Sequence, residues 1–234
     1  MTYEEIITYL TQNGEDKFKK PYLIYGFETI YGLKITDLRA LAKSIGYNHE
    51  LAVELRKKDA FEPLFLSVLL EDPLLVSQET LEDFIKKSRR SPIVDQALTD
   101  LILKSKHHNL FKAWMNHKDV LFRYGCYATS STYFRMTPLD QIDVSFGHML
   151  LDQIKTTLLD EDIYIQNAMN NAVVMAGLHV PELVDHAYEI AHHIGHVMPL
   201  KAKNSCNIQS ATDYLDRYLK EPKYSRVAKL KQTQ

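Results

Sequence analysis

The stretch YGLKITDLRALAKSIGYNHELAVEL, residues 31–55, decides the fold because it predicts two amphipathic helices separated by a glycine. Apolar residues of the first helix recur at i, i+3, i+4 and i+7, namely Leu38, Leu41, Ala42 and Ile45. We expect Thr36 to cap the first helix, Gly46 to end it, and Asn48 to cap the second. The two helices should pack against each other as one unit of a helical array.

The composition favours a folded protein with a continuous core. The chain has 234 residues, of which 45% are hydrophobic, so we expect a single domain over residues 1–234. No apolar run approaches the roughly 20 residues that span a bilayer, and MTYEEIITYL at the start predicts an acidic amphipathic helix rather than a signal peptide. We therefore expect a cytoplasmic monomer that is not associated with a membrane.

The charge is distributed unevenly along the chain. The formal net charge is -2, yet the segment 201–234 carries eight lysine and arginine residues against three acidic ones. This balance does not supply a large positive face for a polyanion. A local cluster with the sequence KKSRR could still contact phosphates through Lys86, Lys87, Arg89 and Arg90.

Helical periodicity continues through most of the chain. Ser91 followed by Pro92 predicts another helix start, and further helices are predicted near 109–117, 119–135, 139–158, 161–177, 181–195 and 210–219. The sequence LFRYGCYATSSTYFR also fits a strand by propensity, but its isolation argues against a sheet. With no Rossmann or P-loop glycine pattern, the sequence predicts an all-α solenoid of antiparallel HEAT-like helix pairs, curved and with a concave face suited to nucleic acid or peptide.

Few residue patterns indicate catalysis or metal binding. HHIGH, which contains His192, His193 and His196, lacks the glutamate that zinc hydrolases place within such a motif. Cys126 and Cys206 are too few for a disulfide framework and are interpreted as reduced, packed thiols. The sequence therefore predicts no metal site and no cofactor.

Two charged residues have both a structural and a functional interpretation. Asp95, within SPIVDQAL, lies near the border of a buried stripe, and a first-turn acid that answers the helix dipole is the simpler interpretation. Arg123, within VLFRYGCY, could form a structural ion pair or hold a phosphate. From the residues alone the structural interpretation is preferred for Asp95, and both interpretations stay open for Arg123.

In the order and spacing of several motifs the chain resembles the AlkD-like DNA alkylation repair family, HEAT-like glycosylases that release cationic alkylated purines. The residue 31–55 stretch resembles the family's LR-x-LAK and His-Glu-Leu-Ala helices. SPIVDQAL resembles the segment with the family's aspartate, WMNHKDVLFRYGCYA the segment with its arginine, and IQNAMNNAVVMAGLHVPELVDHAYEIAHHIG a divergent branch. The similarity covers most of the chain.

The resemblance implies roles for two residues. Asp95 matches the carboxylate that stabilises the sugar oxocarbenium ion, and Arg123 matches the arginine that contacts the DNA backbone. The expelled base is already cationic, so the family needs no strong general acid. Tryptophan faces hold the lesion through cation–π contacts.

The chain departs from the family where those aromatic side chains belong. Ser91 stands at one aromatic position and Asn171 at the second, while Trp114, the one tryptophan, is expected in the core. Loss of two stacking interactions, each worth about 1 to 3 kcal/mol, weakens lesion capture strongly. We expect a family member with a degenerate site that serves as a nucleic-acid module, through duplex DNA on the concave face, or as a protein-interaction module.

The alternative is an active glycosylase that excises cationic N3- or N7-alkylated purines. In that case Asp95 would stabilise the oxocarbenium ion. Tyr124, Tyr127 or Phe134 would replace the tryptophans.

Overall fold

The computed structural model describes residues 1–197 and 210–232, and within these ranges the protein is helical with no β-strand. The predicted all-α class is confirmed. The chain divides into two compact units, Met1–Leu110 (unit 1) and Phe111–Gln234 (unit 2). The single domain expected from the sequence stays a prediction.

Unit 1 contains seven α-helices, with a π-helical turn at Val94–Leu98 that leads into the last of them. They are α1 (Tyr3–Asn13), α2 (Asp16–Lys19), α3 (Ile35–Ile45), α4 (His49–Leu55), α5 (Phe61–Leu70), α6 (Gln78–Ser88) and α7 (Thr99–Lys104).

The helix pair predicted from residues 31–55 is present, with one cap displaced. Gly46, at φ 78°, ends α3, and the Asn48 side chain accepts a hydrogen bond from the Leu51 N–H at the start of α4, as predicted. The Thr36 cap is wrong: α3 already begins at Ile35, and the Thr36 hydroxyl donates to the Asp37 carboxylate instead. The loop before α3 is held in place up to residue 33, and this sets the residue at which the helix begins.

That loop is fixed by a buried carboxylate on α5. Glu62 is fully buried and accepts hydrogen bonds from the backbone N–H groups of Tyr31, Gly32 and Leu33, at 2.9, 2.7 and 3.2 Å. Three donors satisfy a charge that would otherwise be costly to bury. Glu62 therefore sets the path by which the chain enters α3.

Helix α5 is the core of unit 1. Nine of its ten residues are buried, as expected of a helix that is apolar on all sides. Helices α3 and α4 each pack mainly on α5 rather than on each other. The expected direct packing between them is therefore wrong, because the more apolar α5 offers each stripe a larger buried surface.

Unit 2 has six described α-helices that pack around one long member. They are α8 (Val120–Met136), α9 (Val144–Thr157), α10 (Ile163–His179), α11 (Val184–Ile194), α12 (Ala211–Tyr218) and α13 (Arg226–Lys231). Helix α10 contacts α8, α11, α12 and α13. Residues 121–135 lie in α8, which excludes the strand interpretation, and the helix predicted at 109–117 is reduced to a 3₁₀ turn at Leu110–Trp114.

Charged side chains join α8 and α10 at both ends. Near their first residues, Arg123 pairs with Glu161, which precedes α10. Near their last residues, Arg226 donates to the carbonyl oxygens of Phe134 and Thr137 and to that of His179. The two helices therefore run in the same direction, and the start of α13 closes their carboxyl ends.

Candidate nucleic-acid interface

Asp95 lies in the π-helical turn of unit 1. The Thr99 N–H donates to the Val94 carbonyl oxygen, five residues earlier, which widens the helix at this position. The Asp95 side chain is exposed rather than at the edge of the core. Such turns are frequent at functional sites, so the turn presents a carboxylate where the family resemblance expects one.

Ser91 lies just before this turn and faces the interior. It is fully buried, and its Oγ accepts a hydrogen bond from the Ile93 N–H at 3.3 Å. The predicted capping role is thus confirmed. A serine that caps a helix within the core presents no aromatic face beside Asp95.

The Arg123 guanidinium is largely occupied by unit 2 itself. Nε and Nη2 donate to the two carboxylate oxygens of Glu161 at 2.5 and 2.9 Å, and Nη1 donates to the carbonyl oxygens of His117 and Lys118. The hydrogen bond with Glu161 raises the pKa of Arg123 above its usual value. Contact between Arg123 and a phosphate stays a prediction, and it would compete with these bonds.

The basic cluster at 86–90 is only partly directed to solvent. Arg89 donates to both carboxylate oxygens of Asp59, at 3.0 and 2.8 Å, and to the Tyr25 carbonyl oxygen. Lys86 and Lys87 are exposed, and Lys87 pairs with Asp83 on the preceding turn of α6 at 2.7 Å. The two lysines at the end of α6 are therefore the accessible cations of the cluster, while Arg90 is half-buried.

The aromatic side chains considered as replacements for the family's tryptophans are buried. Trp114 is 3% exposed and meets the edge of Phe122, and Tyr124, Tyr127 and Phe134 are 6%, 1% and 0% exposed. None of these rings offers a face to a nucleotide in this structure. That one of them replaces a tryptophan stays a prediction, and it would require the ring to become exposed.

Asn171, which the resemblance matches to the second aromatic position of the family, lies on α10. Its Oδ1 and that of Asn167 are buried and accept no hydrogen bond from the described residues. These positions are four residues apart, so both amides lie on the same side of the helix. The residue that the resemblance matches to an aromatic ring is thus a polar group whose acceptor is not satisfied by the described part of unit 2.

The two other predicted candidates have ordinary surroundings. No group of three or more metal-binding side chains occurs in residues 1–197 and 210–232. Burial raises the pKa of the Cys126 thiol to about 12, which makes it a poor nucleophile. Cys206 lies outside the described residues.

No helix within residues 1–197 and 210–232 is both long and apolar enough to cross a membrane.

The sequence left a structural ion pair open for Arg123 but did not identify the partners that occupy Arg123 and Arg89. Glu161 lies 38 residues after Arg123, and Asp59 lies 30 residues before Arg89. Local spacing identifies helix faces but does not identify partners so distant in sequence. An acidic residue at the start of a predicted helix, as at 161, was the available signal.

Comparison with solved structures defines the class of protein. A chain described as belonging to "a new family of proteins related to the HEAT-like repeat DNA glycosylases with affinity for branched DNA structures" superposes with a TM-score of 0.85 and 20% identity, over 97% of this chain and 98% of that one. The fold is therefore that of the HEAT-like helical repeat proteins, as predicted.

The family follows from the sequence. A family profile described as "DNA alkylation repair enzyme" matches residues 6–213, and the chain belongs to this family. Similar proteins include the uncharacterized protein Lin0241 of Listeria innocua, 27% identical over 80% of this chain and 83% of its own length. The uncharacterized protein Lmo0209 of Listeria monocytogenes is 24% identical over the same shares.

Proposed function

We propose that this protein binds branched or duplex DNA and does not excise alkylated bases. The observation that carries the proposal is the burial of Trp114 and of Tyr124, Tyr127 and Phe134, the three aromatic residues considered as replacements for the family's tryptophans. Because none of these four rings is exposed, none of them holds a cationic purine by the cation–π interactions that would position it for cleavage. The exposed Asp95 carboxylate can stabilise the transition state, but that state is seldom reached unless a ring also positions the purine for cleavage.

The DNA-binding half of the proposal draws on the fold and on the surface charge. The structural relative of known fold is described as having affinity for branched DNA structures. In the present chain, Lys86 and Lys87 are exposed at the carboxyl end of α6. Lysine contacts with phosphates position a protein on DNA without reading sequence.

Two measurements on the purified full-length protein test the proposal. The first is binding to a labelled four-way junction and to a linear duplex of equal length, at about 50 and about 200 mM salt. We expect tighter binding to the junction and a steep loss of affinity with salt. The variant carrying Lys86→Glu and Lys87→Glu should bind both DNAs more weakly and with a smaller salt slope, by roughly 0.9 for each phosphate that the protein no longer neutralises.

The double variant Lys17→Glu with Lys19→Glu is the matched control, since it makes the same charge change on α2, where Lys17 pairs with Glu15 at 2.6 Å and Lys19 with Asp16 at 2.8 Å. It should leave DNA affinity nearly unchanged. Binding that is equally negligible at both salt concentrations would contradict DNA binding and favour a protein partner.

The second measurement is release of 7-methylguanine from alkylated duplex DNA. We expect the wild-type protein and Asp95→Asn to give the same low release. Robust release by the wild-type protein that disappears in Asp95→Asn would instead establish the alternative, an active alkylpurine glycosylase, and overturn the loss of excision.

A further inference from the structure

Unit 1 contains a cavity of about 460 Å³ that no part of the family resemblance explains. It lies among the carboxyl end of α3, the later residues of α5, and α7 with the π turn before it. Its volume falls within the range of about 300 to 1,000 Å³ that is usual for ligand sites. Asp95 does not line it, and Asp95 lies two positions from Ala97, which does, so the two features use different sides of the helix.

The floor of the cavity is aliphatic, formed by Ala42, Val68, Leu69, Ala97 and Leu101. Gly46 also lines it, and a Cβ added there would have no heavy atom within 4 Å. This lining favours a flat or apolar group of a ligand and gives it few hydrogen bonds. Such a surface accepts different bases or rings without distinguishing among them.

Cations are placed around this floor. Arg39, Lys43 and Lys104 line the cavity. Arg39 donates to the Gln96 carbonyl oxygen, whereas the Lys43 ammonium forms no hydrogen bond or ion pair with any residue in the described ranges. Two acidic residues also line the cavity. Asp100 has its Oδ2 3.8 Å from the Lys104 Nζ, and the buried carboxylate of Glu71 is already paired with Arg56. Positive charge therefore exceeds the available negative charge, which predicts an anionic ligand.

The cavity is also lined by an exposed aromatic ring. Tyr47 lines the cavity and is 65% exposed, a large exposure for a tyrosine that lies beside buried aliphatic side chains. Stacking on an exposed aromatic ring, combined with nearby cations, is how proteins hold single-stranded nucleic acid independently of sequence.

We propose that this cavity receives one unpaired nucleotide from a branched DNA, with the base on Tyr47 and the aliphatic floor and the phosphate on Lys43 and Lys104. The inference rests on the proposed DNA binding and deepens it. Branched DNAs that carry a single-stranded flap offer unpaired nucleotides that a linear duplex lacks, so a cavity for one nucleotide produces a preference for branched DNA of this kind.

The cavity is tested first without duplex DNA. In the full-length protein with labelled methyl groups, a titration with thymidine 5′-monophosphate should shift the signals of Val68 and Leu101, and Lys43→Gln should reduce the shifts. Inorganic phosphate and a synthetic peptide of alternating aspartate and leucine are titrated in parallel. Absence of shifts with the mononucleotide overturns the proposal, as do equal shifts with phosphate alone or larger shifts with the peptide.

The second test compares a duplex carrying a single-stranded flap with a blunt duplex. Tyr47→Ala should reduce the preference for the flap about tenfold, in line with the loss of one stacked base, while affinity for the blunt duplex stays unchanged. Tyr164→Ala, which alters an exposed tyrosine of unit 2 outside the cavity, is the control and should retain the preference. Equal loss of affinity for both DNAs in Tyr47→Ala would overturn the proposal.

The two proposals fail in different ways. If the protein binds no DNA, the mononucleotide titration still reports on the cavity. If it binds all DNAs equally and the mononucleotide leaves Val68 and Leu101 unshifted, DNA binding stands and the nucleotide cavity does not.

Discussion

Helices α5 and α10 are the core helices of their respective units, yet they treat buried polar groups differently. On α5, Glu62 accepts three backbone hydrogen bonds, and the Ser67 hydroxyl donates to the Ala52 carbonyl oxygen at 2.7 Å. On α10, the buried Oδ1 atoms of Asn167 and Asn171 accept none from described residues.

Buried polar groups therefore have different effects in the two cores, depending on whether they have hydrogen-bond partners. A buried acceptor without a partner costs roughly 1 to 3 kcal/mol, whereas a satisfied one helps to specify the local structure. Helix α5 therefore uses its polar residues to fix a loop and a neighbouring helix. Among the described residues, helix α10 leaves an acceptor without a partner at the position where the family resemblance expects an aromatic ring.

The largest effect is expected on α5, from Glu62→Gln. An amide has one acceptor oxygen in place of two and no charge, so at least one of the three backbone donors loses its partner. We expect the free energy of unfolding, measured with urea, to fall by about 3 to 5 kcal/mol. Ser67→Ala on the same helix removes one neutral hydrogen bond and should cost about 1 kcal/mol. Equal costs for the two variants would contradict the special role of Glu62.

An intermediate effect is expected at the carboxyl end of α10, as a function of pH. Burial, followed by the nearby charges of Arg226 and Arg135, lowers the pKa of His179 from 6.5 to about 4. As the pH falls, the unfolded chain therefore takes up a proton on His179 before the folded chain does. The contribution of His179 to the free energy of unfolding is fully present above pH 6.5 and is lost as the pH falls towards 4.

His179→Asn removes this proton uptake. The difference in unfolding free energy between pH 7 and pH 5 should be smaller in the variant, by about 1 kcal/mol once partial exposure is allowed for. Urea titrations at the two pH values measure it. Parallel pH dependence in the two proteins would mean that His179 is not the titrating group.

The smallest effect, and one of opposite sign, is expected from Asn171→Leu. Replacing a buried acceptor that lacks a partner by an apolar group removes its desolvation cost, so the free energy of unfolding should stay constant or rise by up to about 1 kcal/mol. Thermal and urea unfolding measure this change. A decrease of more than about 1 kcal/mol would show that the Asn171 amide is satisfied in solution, for example by ordered water, and would remove the contrast with α5.

Local patterns predicted much of the fold. Gly46 and Asn48 act as the sequence predicts, because a left-handed stop and a side-chain cap depend on neighbouring residues. Thr36 failed as a cap because its helix start depends on Glu62, 26 positions later, which holds the preceding loop. The direct packing of α3 on α4 failed similarly, since α5 lies outside the stretch that predicted the pair.

The candidate site was less predictable than the fold. Family resemblance located Asp95, and the structure adds that this carboxylate is exposed on a π-helical turn. The same resemblance located Arg123 without its partner Glu161, which the sequence places 38 residues away. Whether a ring such as Tyr127 is exposed also depends on contacts between helices, and no local pattern in its sequence reports them.

Because Arg226 comes late in the chain, its hydrogen bonds can form only late in synthesis. The carboxyl ends of α8 and α10 are closed by a side chain that lies 92 residues after Phe134 and 47 residues after His179. Chains are made from the amino terminus, and domains fold as units once their residues have emerged. Unit 1 can complete its core while the ribosome is still elongating, whereas the helix ends of unit 2 stay hydrated until residue 226 leaves the exit tunnel. A pause in translation before that point would prolong the lifetime of an incompletely closed unit 2.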